Sequence, residues 1–238
     1  CCVGVNGADY PASGNAASGD GRRTVKKQEQ IGRYTLVQKE GVFPLGEDAL
    51  ALGAFARIKN RWKVCDLGTG SGCLLLLIAQ RAAGLQLYGV EREEAAVQAA
   101  RENLSANALR GEIWAGDWTK APFPAGFFDL VVSNPPYFVH GTGGDGGGAR
   151  METEGNGLNL LCRTAARLTR NGGRFALCAR PDRLTDLLIA LRGNGLEPKR
   201  LQFVSHSPEH PPYTVLVEAV RQGGPGVEVL PVRYRGNL

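Results

Sequence analysis

The sequence has no long hydrophobic segment. Its longest aliphatic run, residues 74–79, is far short of the roughly 20 apolar residues that a membrane span needs. The N-terminus also lacks a basic stretch followed by an apolar core, so we expect no signal peptide. These absences argue against a membrane protein and predict a cytoplasmic protein with no membrane partner.

Metal-ligand patterns are missing too. Six cysteines and three histidines are present, but no cysteines form a Cys-x-x-Cys pair and none stands near a histidine at metal-ligand spacing. We therefore expect no bound metal. The cysteines that lie in apolar or periodic segments are predicted to be buried free thiols in a reducing compartment: Cys65, Cys73, Cys162 and Cys178.

Positive charge is present in moderate excess. The net charge is +5 and the isoelectric point is near 9.0. Basic residues cluster within residues 22–27, 192–200 and 221–235. Each cluster alone is typical of a solvated surface, but together they permit an anionic partner such as nucleic acid.

The chain divides by composition into three parts. Residues 1–23 are rich in Gly, Ala, Ser and Asn and are predicted to be a disordered tail. Residues 24–60 are a lead-in segment with one predicted helix, and residues 61–238 are the main domain. Apolar periodicity predicts helices at 47–58, 71–83, 93–107, 158–168 and 184–191, and strands at 62–67, 85–91, 112–116, 127–133, 174–179, 200–205 and 214–220.

This alternation of strands and helices predicts an α/β fold. The expected architecture is a Rossmann-like sheet that is mostly parallel and has helices on both faces. The last two strands have no helix between them, so they should form a hairpin that places one antiparallel strand near the C-terminus. The glycines at 172–173 are predicted to end the helix at 158–168.

An Asn-Pro-Pro-Tyr segment, residues 134–137, ends the strand at 127–133. Two prolines remove backbone donors and stiffen the turn, which predicts a rigid rim at the strand end. The rim gathers the Asn134 amide, the Pro135 carbonyl and the Tyr137 ring, a set that suits a planar group with an exocyclic amine. The alternative is an ordinary surface turn. The glycine run at 141–148 follows the rim, where a substrate lid would belong.

A glycine-rich segment, residues 66–72, follows a strand and opens a helix with the pattern Asp-x-Gly-x-Gly-x-Gly. The dinucleotide-binding pattern needs a third glycine at position 73, which is Cys73 here. The carboxylate of Asp66 would also repel a pyrophosphate. It suits a cofactor that carries an ammonium and a sulfonium group.

Acidic residues also end the next two strands of the predicted sheet. Glu91 can accept hydrogen bonds from ribose hydroxyls, and Asp117 from an adenine amine. Either acid alone is more often a surface carboxylate, but their repetition along one sheet edge indicates a ligand site. The predicted cofactor-binding residues are Asp66, Gly68, Thr69, Gly70, Gly72, Glu91, Arg92, Asp117, Trp118 and Asn134.

On these motifs, residues 40–220 resemble the class I S-adenosylmethionine-dependent methyltransferases. In that superfamily, Asn-Pro-Pro-Tyr marks enzymes that methylate adenine N6, cytosine N4 or glutamine N5. More narrowly, the chain resembles the bacterial tRNA1(Val) adenine-N6 methyltransferases, in residues 38–52, 149–152, 180–184 and 216–231. The shortened, glycine-rich lid and Met151 depart from that family's pattern.

The resemblance implies S-adenosylmethionine as cofactor, tRNA as partner, and catalytic roles for Asn134, Pro135 and Tyr137. Asn134 and Pro135 would accept the two hydrogens of the adenine amine, and Tyr137 would stack on the base. The residues implied in substrate binding are Pro136, Tyr137, Phe138 and Arg150.

Three other functions fit parts of the sequence. A protein glutamine N5-methyltransferase acting on release factors would use the same rim, but that family carries a helical N-terminal domain and little chain precedes the core here. A non-enzymatic RNA- or nucleotide-binding module would not need all of the acidic strand ends. A nicotinamide dehydrogenase is disfavoured by Asp66 and Cys73.

Overall fold

The structure, a computed structural model, describes residues 27–38, 45–135 and 154–235. The helices are α1 (Glu47–Phe55), α2 (Cys73–Ala79), α3 (Glu94–Ala106), α4 (Glu154–Leu168) and α5 (Leu184–Gly193). The strands are β1 (Lys27–Ile31), β2 (Tyr34–Gln38), β3 (Lys63–Leu67), β4 (Gln86–Glu91), β5 (Gly111–Ala115), β6 (Phe128–Ser133), β7 (Thr169–Ala179), β8 (Leu196–Ser205), β9 (Thr214–Arg221), β10 (Glu228–Val229) and β11 (Arg233–Tyr234). Short 3-10 turns span Trp118–Lys120 and Pro181–Arg183.

Nine strands form one sheet, in the order β10-β8-β9-β7-β6-β3-β4-β5, with β11 also paired to β8. Strand β9 is antiparallel to both β7 and β8, and the other pairings of this sheet are parallel. The predicted fold, with one antiparallel strand near the C-terminus, is therefore confirmed.

Each face of the sheet carries its own hydrophobic core, because side chains alternate along the central strands. On β6, Leu130 and Val132 face a core built with α1, α2 and α3, whereas Val131 faces a core built with α4 and α5. Each large side chain buried in this way contributes about 1.5–3 kcal/mol. Helices on both faces therefore hold the strand ends of the sheet in place.

The strand order reverses between β3 and β6. From β3 the chain runs outward to β4 and β5, and it then returns to add β6 and β7 on the other side. In open sheets of this kind, ligands bind beyond the carboxyl ends of the strands at such a reversal. This edge carries both the end of β3, with its glycine loop, and Asn134 at the end of β6.

Strands β1 and β2 form an N-terminal hairpin that was not predicted. Its outer strand β2 completes its hydrogen bonds with side chains of α3. Asn103 accepts from the Val37 amide at 2.9 Å and donates to the Val37 carbonyl at 3.1 Å, and Asn107 bonds the Thr35 amide and carbonyl in the same way. Local sequence patterns do not indicate these partners, since the contacts span 66 and 72 residues.

Several element boundaries differ from the predictions, among them those of α2 and α4. Helix α2 occupies Cys73–Ala79 rather than 71–83, because Gly72 adopts a left-handed φ of 80° immediately before it. Helix α4 ends at Leu168 as predicted but begins at Glu154 rather than at 158, and the segment 171–173, which was expected to stop it, lies within β7. There the register against β6 shifts, and Gly172 has a left-handed φ of 72°.

Candidate functional site

The glycine loop that follows β3 contains three residues with a left-handed backbone conformation. Gly68, Gly70 and Gly72 have φ angles of 79°, 55° and 80°, which residues other than glycine rarely adopt. A Cβ atom added at Gly68 or Gly70 would meet nothing within 4 Å. Open space therefore lies beside both residues, and a ligand can approach the backbone closely there.

Asp66 points to a ligand at this loop because it is a buried acid with an unused oxygen. The residue is 2% exposed, and its Oδ1 has no hydrogen-bond partner among the described residues. Burial raises the pKa of Asp66 to about 7; the nearby Thr69 hydroxyl offsets part of this rise, and the negative charge of Glu91 adds a smaller increase. The hydroxyls of Thr69 and Ser71 are also buried without a partner in the described structure. Such groups fit a polar cofactor that donates to a carboxylate and to hydroxyls.

Glu91 joins the ends of β3 and β4. Its Oε2 accepts from the Gly70 amide at 2.9 Å, and its Oε1 accepts from the amides of Arg92 and Glu93 at 2.7 and 3.0 Å. A carboxylate has about four lone-pair sites, so Oε2 can still accept from a ribose hydroxyl. The carboxylate thus shapes the loop and also retains the capacity to bind a ligand.

The remaining predicted cofactor residues lie along the same edge. Asp117 is exposed and caps the 3-10 turn, because its Oδ1 accepts from the amide and the hydroxyl of Thr119 at 2.8 Å each. Trp118 is partly buried and packs against the core built with α4 and α5. Arg92 is exposed and its guanidinium lies 3.4 Å from Glu93, so in this structure it makes a surface ion pair.

Asn134 and Pro135 lie half-buried at the end of β6. The neighbouring Ser133 donates from its hydroxyl to the Leu67 carbonyl at 2.8 Å, which ties this rim to the strand that leads into the glycine loop. The structure thus brings the predicted amine acceptors and the glycine loop together at one edge. Pro136, Tyr137, Phe138, Arg150 and the glycine run at 141–148 lie outside the described residues.

Cys178 is a functional candidate that was predicted only as a buried thiol. Its Sγ donates to Asn134 Oδ1 at 2.7 Å from the neighbouring strand β7. Burial raises the pKa of this thiol well above its ordinary value, with help from the negative charges of Asp48 and Asp66, so the donor proton is retained. The strand pairing of Ser133 with Leu177 is the signal that would have placed the two residues side by side.

A second feature of this edge was also missed. An open pocket beyond β7 and β9 is lined by Asp48, Arg180, Pro181, Asp182, Pro212 and Tyr213. The Tyr213 ring stacks on His206, with centroids 4.5 Å apart and an interplanar angle of 19°. The pocket lies on the same sheet edge as Asn134, because Arg180 follows the carboxyl end of β7, which is parallel to β6, and Tyr213 precedes the antiparallel strand β9.

Neither a metal site nor a membrane-spanning helix is found among the described residues. In the ranges 27–38, 45–135 and 154–235, no group of three or more His, Cys, Asp and Glu side chains could hold a metal ion. Across the same ranges, no helix is long and apolar enough to cross a bilayer.

The doubly wound sheet, with an acid-flanked glycine loop where the strand order reverses, defines a class I methyltransferase fold. A predicted O-methyltransferase from Agrobacterium tumefaciens has the same fold, with a TM-score of 0.62 and 22% identity over 79% of this chain and 86% of that one. The chain belongs to the family described as the methyltransferase small domain, whose profile matches residues 33–183.

Two curated relatives are each 32% identical to this chain. The protein from Tolumonas auensis matches over 166 residues, which is 68% of this chain and 70% of the relative. The protein from Porphyromonas gingivalis matches over 199 residues, 78% of each chain. Both are named tRNA1(Val) (adenine(37)-N6)-methyltransferase. The chain is thus an S-adenosylmethionine-dependent methyltransferase.

Proposed function

We propose that this chain transfers a methyl group from S-adenosylmethionine to the exocyclic N6 of an adenine in tRNA. The observation that carries the proposal is the position of Asn134, whose amide lies at the end of β6 beside the glycine loop of β3. The names of the curated relatives support the substrate, and they point to adenine 37 of tRNA1(Val) as the position.

The cofactor would be held by the acids that end three successive strands. Asp66 would accept from its ammonium group, Glu91 from its ribose hydroxyls, and Asp117 from its adenine amine. The open space beside Gly68 and Gly70 admits it against the backbone. When bound, S-adenosylmethionine supplies a methyl group on a positively charged sulfur.

The acceptor amine is a weak nucleophile because its lone pair is delocalised into the adenine ring. Asn134 Oδ1 and the Pro135 carbonyl would accept its two hydrogens, which favours a pyramidal nitrogen. These bonds strengthen as the nitrogen attacks, so they stabilise the transition state more than the ground state. Cys178 occupies one lone pair of Asn134 Oδ1 and leaves the other for the amine. No strong base is needed, since the proton can leave after the transfer.

The target base must leave its stack to reach the rim. A loop of RNA makes this step inexpensive, because its bases are already unstacked in part. Tyr137, which lies outside the described residues, is proposed to stack on the base, and such a contact is worth about 1–3 kcal/mol. The reaction therefore favours adenine in a tRNA loop over adenine in a duplex.

Incubation with labelled S-adenosylmethionine tests the proposal. One reaction contains total tRNA and a second contains a peptide-chain release factor, and the digested products are analysed by mass spectrometry. We expect label in N6-methyladenosine from the tRNA reaction. Label in a glutamine side chain of the release factor, with none in tRNA, would show instead that the rim serves a protein amide.

A further inference from the structure

A cluster of basic side chains lies at the opposite end of α1 from the methyl-acceptor edge. Arg57, Arg174, Lys199 and Arg200 line one concave surface, which we call the basic cleft. Arg57 lies two residues after the end of α1, whereas the start of α1 faces the acceptor edge. The nine residues of α1 span about 13 Å. The cleft is thus roughly one short helix away from Asn134.

The cations of the cleft are only partly neutralised. Glu218 is fully buried, accepts from Arg174 Nη1 at 2.7 Å, and lies 3.6 Å from Arg200 Nη1. One carboxylate therefore serves two guanidinium groups. Glu228 lies 3.6 Å from Arg57, with both side chains about half exposed, so this pair is weak.

The hydrogen bonds of the Lys199 ammonium group go to backbone carbonyls. Its Nζ donates to the carbonyls of Gly224 and Pro225, both at 3.2 Å. An ammonium group has three donors, so one remains for another acceptor. The Arg57 guanidinium, 51% exposed, likewise has donors that can reach solvent or a ligand.

A further positive charge, on Arg81, lies next to the cleft and adds to its field. Arg81 donates to the Ala56 carbonyl at 2.6 Å, behind the cleft. Its pKa is lowered by burial first and then by repulsion from Arg200 and Arg233, against the attraction of Glu218. This location therefore favours an anion that approaches from outside.

We propose that the basic cleft binds the phosphate backbone of the tRNA whose base is methylated at the other end of α1. This inference rests on the proposed function and adds a second RNA contact to it. Guanidinium and ammonium groups are the usual partners of RNA phosphates. A folded RNA is much longer than the distance from the cleft to the rim, so one molecule can reach both.

Binding of fluorescently labelled tRNA tests the cleft without relying on turnover. The variant Arg57→Gln/Lys199→Gln removes two charges that line the cleft while leaving Glu218 and its two arginine partners in place. The control is Arg110→Gln/Arg163→Gln, which removes two exposed charges before β5 and on α4. Each protein is titrated over a range of salt concentrations, and affinity for S-adenosylmethionine is measured in parallel.

We expect the cleft variant to bind tRNA about tenfold more weakly than the control, with unchanged cofactor affinity. Affinity falls as salt increases, and the plot of log affinity against log salt concentration should become shallower by about 1.4–1.8 in the cleft variant, since two phosphate contacts are lost. Equal tRNA affinities and slopes in the two variants would overturn the cleft proposal, even if tRNA is methylated. Methylation of a release factor and not of tRNA, with a normal cleft effect on tRNA binding, would overturn only the proposed function.

Discussion

The residue most sensitive to pH at the candidate site is Asp66. Its pKa of about 7 means that the buried carboxyl is protonated below neutral pH and ionised above it. An ionised carboxylate attracts the ammonium group of the cofactor, and a protonated one does not. We therefore expect the affinity for S-adenosylmethionine to rise as pH increases through about 7, as measured by calorimetry from pH 5.5 to 8.5.

The variant Asp66→Asn serves as the control for this titration. It should bind the cofactor more weakly at pH 8 and show a flatter pH profile of cofactor affinity.

The burial of Asp66 also lowers the stability of the unliganded protein as pH rises from about 4 to 7, because the unfolded chain ionises Asp66 more easily. A profile in Asp66→Asn as steep as that of the unaltered protein would assign the titration to another group.

Asn134 should affect turnover rather than cofactor binding. Replacing it with Ala removes one of the two proposed acceptors for the amine, and loss of one such group typically lowers kcat by about 10²–10³. We expect the affinity for S-adenosylmethionine to stay near that of the unaltered protein. Single-turnover kinetics with tRNA measures the effect, and a near-normal rate would show that the acceptor is misassigned.

Cys178 should act through Asn134. A neutral hydrogen bond contributes about 0.5–1.5 kcal/mol, so Cys178→Ala should lower kcat by up to about tenfold without changing cofactor affinity. Cys178→Ser keeps a donor and should recover most of the rate. The matched control is Cys162→Ala, which removes a fully buried thiol from the core under α4. Equal losses of kcat in both alanine variants would mean that Cys178 only fills space.

At the scale of elements, Asn103 connects the N-terminal hairpin to the glycine loop. In addition to its bonds with Val37, its Nδ2 donates to the Ser71 carbonyl at 2.9 Å. Asn103→Ala should therefore destabilise the fold by about 1–3 kcal/mol and also weaken cofactor binding several-fold. Urea unfolding and calorimetry give the two quantities.

Asn107 provides the control for that coupling. Its side chain forms hydrogen bonds with Thr35 of the same hairpin and with the Asn103 carbonyl, but none with residues 68–72, all of which the structure describes. Asn107→Ala should destabilise the hairpin and leave cofactor affinity unchanged. If both variants weaken cofactor binding equally, the hairpin as a whole rather than the Ser71 bond supports the loop.

Local pattern was enough to predict seven of the nine strands of the main sheet, but not the two-residue strands β10 and β11. Apolar runs such as β6 and β9 are visible in the sequence because both faces of these strands are buried. The hairpin β1–β2 was not visible, since its stability comes from α3. The bond from Cys178 to Asn134 crosses 44 residues and depends on strand register, which single-sequence patterns do not determine.

At the scale of the whole molecule, Glu218 connects three parts of the chain. It accepts from the Arg57 amide at 2.8 Å after α1 and from Arg174 on β7, and it lies beside Arg200 on β8. Glu218→Ala should lower the free energy of unfolding by about 3–5 kcal/mol, because two partly buried guanidinium groups lose their counter-charge. Urea denaturation measures this loss. A change below about 1 kcal/mol would show that the arginines find other partners.

Strand β9 lies between β7 and β8 although it follows both in the chain. During synthesis, β8 has no partner in place and the outer edge of β7 stays open until residue 221 has left the ribosome. An unpaired, apolar strand edge invites pairing with other nascent chains. Premature termination ahead of Thr214 would therefore release a polypeptide prone to aggregate, and this half of the sheet is where a chaperone is most needed.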